Sequence, residues 1–348
     1  MQNYNDQSAA YDFYREVSIP ARKNFSQFAI SLLAYALVSY MVILAAQIIL
    51  IFALGEEGAQ GVVENVYVQW LLNVVPTYMI ALPVLYAIVR RMPTKALKKA
   101  KIGIGEFVLL FFAAQAVMTV GNLLGVTLNG VIGAIMGKEI SNATSELISA
   151  SPVWIITLVA VVIGPVVEEF IFRKLMIDRL SRYGNICAII VSGVAFGLFH
   201  GNLYQFFYAA LLGILLGYLY VRTGNWLYPV AMHMLINLFG SVLTLPVLEA
   251  SEVLTEMQAL LAEGTEINLI EYYKSLILVA SYSMISYGMA VAGAVILYKA
   301  FKNKAIRIES DCEIYLPRRN CAKAVLFNVG VILYILFSLV CFTLSILS

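Results

Sequence analysis

Long apolar runs recur along this chain, each close to the ~20 residues that a helix needs to cross a ~30 Å hydrocarbon core. No other feature constrains the fold as tightly. Inside lipid every backbone N–H and C=O must find a partner within the protein, which leaves α-helices or closed β-barrels. The runs are far longer than the alternating segments of ~10 residues that build a barrel. The expected fold class is therefore all-α: a polytopic integral membrane helix bundle of eight to nine transmembrane helices. Composition agrees, since 61% of the 348 residues are hydrophobic and only 13% are charged, against roughly 25% charged in a soluble domain.

Nine spans are read at 27–54, 69–89, 107–136, 153–172, 185–203, 204–221, 226–248, 275–298 and 324–347, with a break in the third expected near Gly121 or Gly125. Their orientation follows from Lys and Arg in the short loops. With the N-terminus cytoplasmic, 21 of the 23 basic residues fall on the cytoplasmic side, leaving Lys138 and Lys274 outside. The polar first 25 residues lack a secretory signal, so the first span is expected to direct insertion. The external loop 249–274 is acidic, and its apolar spacing predicts a helix along the membrane surface. A net charge of +2 gives no reason to expect nucleic acid. The four cysteines (Cys187, Cys312, Cys321 and Cys341) show neither CxxC nor zinc spacing and are read as free thiols.

The chemistry concentrates in few residues. Both histidines of the chain, His200 and His233, fall within spans, and Glu168 and Glu169 are the acidic residues placed inside one. Each ionisable group at such depth costs about 3 kcal/mol on insertion scales, and so belongs to a protein interior or a wet cavity. Glu169 and Arg173 stand at i, i+4 and form a structural ion pair on one helix face. Glu168, rotated by about 100°, has no such local partner, a setting that suits general acid/base work. Pro165, three residues upstream, is expected to kink the span and make room for water or substrate. Glu168 lies 16 residues before Gly184 and His200 16 after it. Both then sit about 24 Å above that turn, where they can face each other. The count requires the fourth helix to run on through Arg173 and to project "KLMIDRLSR" into the cytoplasm as an amphipathic end. Gly193, Gly197 and Gly201 mark a face for close helix packing. His233 and Asn237 share a face of the seventh span. A carboxylate, two imidazoles and an amide suit activation of a water and stabilisation of an oxyanion. No HExxH is present. Glu168, His200 and His233 remain candidates for a divalent metal such as zinc, although no cofactor is required by the sequence.

The segments "EEFIFR", "FGLFH" and "HMLIN" resemble, in order, the EExxxR, FxxxH and HxxxN motifs of the CPBP intramembrane proteases. These are the CAAX prenyl protease and bacteriocin-processing proteins, also called the Abi family. The resemblance covers about residues 150–240. It implies peptide-bond hydrolysis within the membrane: Glu168 would activate water with His200 helping to hold it, His233 and Asn237 would stabilise the oxyanion, and Glu169 and Arg173 would brace the site, with Glu169 open to a share in catalysis.

The expected organisation has an N-terminal tail with three flanking helices (1–150), a catalytic bundle (151–245) and a C-terminal part (246–348). The C-terminal part holds the acidic loop, two further helices and a basic cytoplasmic loop. The expected partners are a peptide or membrane-protein substrate and the lipid bilayer, in a bacterial cytoplasmic (plasma) membrane; no feature of the sequence encodes the oligomeric state. Two other readings stand beside the protease. One is a non-enzymatic bacteriocin-immunity or scaffolding protein. The other is a proton-coupled transporter, which the lack of an internal repeat disfavours.

Overall fold

A computed structural model describes residues 13–308 and 312–347. Among them all regular secondary structure is helical, with no strand. Among the described residues eight helices are long and apolar enough to cross a membrane: α1 (Tyr14–Val63), α2 (Val66–Val89), α3 (Ile104–Met136), α5 (Val153–Tyr183), α7 (Leu203–Thr223), α8 (Leu227–Ala262), α9 (Leu269–Lys302) and α11 (Val329–Leu347). Between them lie α4 (Ala143–Ser149), α6 (Asn185–Phe199) and α10 (Arg318–Leu326). Helix α6 is the fifth expected span, but its 15 residues reach only about 22 Å. The chain then turns back at Gly201, whose φ of +66° only glycine adopts without strain. The position of His200 follows from that turn: it closes a short helix inside the bundle.

The third span does not break. Helix α3 is continuous from Ile104 to Met136, and its glycines serve contact instead. A side chain at Gly121 would strike the Tyr208 backbone, and one at Gly125 would meet the Leu203 and Tyr204 carbonyls, so α3 lies directly on α7. Helices α6 and α7 meet in the same manner. Gly193 faces Ile214 and Ala210, Gly213 faces Gly193, and Gly197 faces Phe206 and Ala210, the small-residue packing of membrane helices.

Helix α5 also continues through Pro165. Wide π-type turns at Ile156–Ile163 and Phe170–Ile177 flank the α-helical Gly164–Glu169, and such turns accommodate groups that lose their i→i−4 bond. Its C-terminal end packs into the protein instead of projecting from it. Apart from Lys174, residues 171–181 are buried, many within the largest core cluster. Their charges find partners on other elements. Arg179 donates to the Val89 and Leu175 carbonyls, and Asp178 accepts from Tyr220 at 2.5 Å and Lys174 at 2.7 Å.

Part of the acidic loop expected outside the membrane is helix, with α8 running on to Ala262. Val247, Ala250 and Met257 are buried while Glu249, Glu252 and Glu256 are exposed. The amphipathic pattern is real, and its apolar face packs against α9 rather than lying free. The cysteines correct the free-thiol reading: Cys187 of α6 is disulfide-bonded to Cys321 of α10, and Cys312 and Cys341 are free.

Candidate active site

Helices α5, α6 and α8 bring the expected residues to one place. Glu169 and Arg173, one turn apart on α5, are both fully buried and form the anticipated ion pair, Nε to Oε2 at 2.8 Å. Arg173 is supported further by Ser192 of α6 (Nη1–Oγ 3.4 Å), and Ser192 donates to the Phe172 carbonyl at 2.8 Å. The guanidinium also stacks over the Phe196 ring, 5.1 Å from its centre.

Glu169 has a second partner that helix spacing alone does not reveal. Its Oε1 lies 2.9 Å from Nδ1 of His233 on α8. A carboxylate already paired with Arg173 accepts, so His233 donates from Nδ1 and presents Nε2 on the other side. There Nε2 lies 3.7 Å from Oε2 of Glu168. Arg173, Glu169, His233 and Glu168 thus form a line from the buried core outward. Exposure follows the same order: the side chains of Glu169 and His233 are 0% and 4% exposed, and that of Glu168 is 18% exposed.

His200 ends α6 with Nδ1 2.8 Å from the Phe196 carbonyl. A carbonyl only accepts, so Nδ1 carries the proton and Nε2 of the neutral ring is left as an acceptor. The Phe196 ring separates the two histidines, edge-on to His200 at 4.9 Å and to His233 at 5.7 Å. His233 is the link between His200 and Glu168: it lies 3.7 Å from Glu168 and shares the Phe196 ring with His200. Asn237 donates from Nδ2 to the Ala160 carbonyl of α5 at 2.8 Å, which ties α8 to the helix carrying Glu168. Of the oxyanion donors expected at His233 and Asn237, the second amide hydrogen of Asn237 is left over, whereas Nε2 of His233 donates only when the ring carries both protons.

Zinc ligands need donors converging to about 2 Å from one point. Among the described residues no three His, Cys, Asp or Glu side chains form a group that could hold a metal ion. Nδ1 of His233 and Nδ1 of His200 are engaged by Glu169 and by the Phe196 carbonyl, which leaves Nε2 of each ring as its free nitrogen.

The structure adds residues that sequence reasoning missed. Tyr35 of α1, Tyr78 of α2 and Tyr208 of α7 all lie within electrostatic reach of the Glu168 carboxylate. The Tyr78 hydroxyl and Glu168 Oε1 both approach the same point beside Gly164. A cavity of about 610 Å³ opens beside the site, with Tyr35, Tyr78, Trp70, Phe199, Tyr334 and Cys341 in its wall. Tyr35 and Tyr78 belong to both cavity and site and mark the boundary between them. With 21 tyrosines in the chain, residue type alone could not have selected these three.

Comparison with known proteins gives a consistent picture. Residues 150–239 match the family model described as type II CAAX prenyl endopeptidase Rce1-like. The chain is 29% identical over 230 residues to YdiL of Bacillus subtilis (strain 168), named as a putative membrane peptidase, across 63% of this chain and 89% of that protein. It is 30% identical over 203 residues to the membrane-embedded CAAX protease MroQ of Staphylococcus aureus (strain USA300), across 55% of this chain and 78% of that protein. No solved structure matches the chain.

Proposed function

The chain belongs to the CPBP family of CAAX-type membrane proteases, and on that premise we propose that it is an intramembrane endopeptidase in which Glu168 activates the attacking water. The observation that carries the reading is the line Arg173–Glu169–His233–Glu168, which is buried at one end and open at the other. A fixed cation holds a carboxylate, the carboxylate holds an imidazole in one tautomer, and the imidazole faces a second, accessible carboxylate. This is the orienting logic of a catalytic dyad, with Glu168 where a base can meet water.

In the proposed reaction Glu168 takes a proton from water as the oxygen attacks the scissile carbonyl carbon. The C–N bond then breaks, and the proton held by Glu168 passes to the leaving amine. His200 presents Nε2 as an acceptor and helps to hold the water. Glu169 orients His233 instead of attacking, and Arg173 supplies the countercharge that Glu169 needs in a buried setting. Asn237 acts first as a brace through Ala160. The substrate is an apolar peptide or membrane-protein segment that enters from the bilayer into the aromatic-lined cavity, a concave apolar site of ordinary ligand size. Helices α1, α2 and α11, outside the catalytic bundle of 151–245, supply much of that wall. Both relatives are bacterial, which supports a bacterial cytoplasmic membrane as the setting.

The test uses purified full-length protein in vesicles with a quenched, farnesylated CAAX peptide as probe. Cleavage in H₂¹⁸O is expected to place ¹⁸O in the new C-terminal carboxylate, and intact-mass spectra during turnover are expected to show no adduct on the protein. A covalent acyl-protein species would overturn the glutamate–water mechanism.

A further inference from the structure

A neutral His233 spends its ring hydrogen on Glu169, and Asn237 spends one amide hydrogen on the Ala160 carbonyl. A peptide carbonyl that gains negative charge needs donors aimed at it. We propose that Tyr78 of α2 supplies one: its hydroxyl, set in the space that Gly164 leaves beside Glu168, is a catalytic hydrogen-bond donor to the oxyanion. The proposal rests on the proteolytic reading above. It extends the site to a helix outside the family match at residues 150–239.

Gly164 and Glu168 stand one turn apart on α5 and so share a face of that helix. A Cβ at Gly164 would lie 3.5 Å from the Tyr78 hydroxyl oxygen and 4.0 Å from Glu168 Oε1. The two oxygens are therefore separated by no more than those two distances together. The same Cβ would lie 3.2 Å from the Val159 carbonyl, which already accepts from the Gly164 N–H. Glycine at 164 thus lets α2 bring a phenol onto the face that carries the base. The local backbone helps to place it. Tyr78 sits in a wide π-type turn, Val75–Ala81, two residues after Pro76, which has no N–H to give to the helix. The wide turns of α5 at Ile156–Ile163 end at Gly164.

Two further observations separate this hydroxyl from a packing group. Among the described residues no hydrogen bond engages it, to Glu168 or to any other side chain or carbonyl, so its hydrogen is free to donate. Tyr78 also lines the cavity of about 610 Å³, whose wall holds Phe199 and Gly201, the residues on either side of His200. A peptide in that cavity therefore meets Tyr78 and the His200 turn together. The spacing suits the reaction. The two oxygens of a tetrahedral intermediate lie about 2.3 Å apart on one carbon, with base and donor each about 2.8 Å beyond. Base and donor then fall within about 8 Å of each other, as Glu168 Oε1 and the Tyr78 hydroxyl do. The Tyr78 proton stays on the phenol throughout: it is shared with the oxyanion while that charge lasts and released when the C–N bond breaks.

The test measures cleavage of the farnesylated CAAX probe by full-length protein in vesicles. Tyr78→Phe is expected to lower kcat by about 10²–10³-fold, the effect of removing one oxyanion donor, with KM and Tm unchanged. Fluorotyrosines incorporated at position 78 keep the side chain's shape and discriminate further. A donor role predicts that kcat rises as the phenol becomes more acidic, up to the point where it ionises, and a packing role predicts no trend. Wild-type kcat in Tyr78→Phe, a rise in KM with kcat retained, or a flat fluorotyrosine series overturns the proposal and leaves the protease reading standing. A folded wild-type protein that leaves the probe intact contradicts both.

Discussion

Glu168→Gln is expected to stop cleavage while leaving the fold intact. Glutamine keeps the size and hydrogen-bonding reach of the side chain and removes its capacity to take a proton. Loss of a general base lowers rates by about 10²–10⁴-fold. Here the same carboxylate must also deliver the leaving-group proton, so a loss of about 10³-fold or more is expected. Stability should not follow. Glu168 is 18% exposed and Nε2 of His233 is 3.7 Å away; replacing it leaves no buried charge without a partner. Tm is expected to stay within about 2 °C of wild type. A variant that melts early and keeps partial activity would instead mark Glu168 as a structural residue.

Arg173→Met is expected to produce the opposite pattern, with collapse of stability and activity together. Both members of the Glu169–Arg173 pair are fully buried. Removing the cation strands Glu169 as a lone charge, which in buried pairs costs about 3–5 kcal/mol. It also frees the carboxylate that holds His233 Nδ1 at 2.9 Å. The double variant Glu169→Leu, Arg173→Met removes both charges and is expected to recover most of the lost stability, because replacing a whole buried pair by apolar side chains is often close to neutral. Activity should not return, since His233 then lacks its acceptor. Thermal unfolding of the two single variants and the double variant, read as a double-mutant cycle, separates bracing from orientation. A double variant as unstable as Arg173→Met would show that the pair is not the main contribution of these residues.

The contrast between the two glutamates shows how much of the site is legible in the sequence. Adjacent residues on a helix point about 100° apart, and the i, i+4 partner of Glu169 is visible in the motif. That yields the ion pair and leaves Glu168 without a local partner. The contact between Glu169 and His233 spans 64 positions, and helical spacing carries no information about it. For the same reason the sequence points Glu169 to bracing, while the structure has it holding an imidazole as well. Phe196 stands in the sequence as the first letter of a motif; its role as the ring between Arg173 and both histidines depends on how α5, α6 and α8 pack.

Misreadings in the fold have a common cause. Glycines in a span look like breaks until a neighbouring backbone is known to lie against them, as at Gly121 and Gly125. Charged residues beyond a span look like a solvated end until their partners appear, as for Arg179 with the Val89 carbonyl and Asp178 with Tyr220. In both cases the local pattern is sound, and the deciding atoms belong to another helix. Helix number, by contrast, is written into apolar length, and only α6 falls short of crossing.

The most direct measurement does not require the substrate to be identified. Membranes from cells expressing the wild type or Glu168→Ala, at matched protein level, are compared by mass spectrometry of newly formed peptide termini. The account predicts a set of termini within or beside membrane-embedded segments that is present with the wild type and missing with the variant. Identical sets of termini in the two membranes would contradict it.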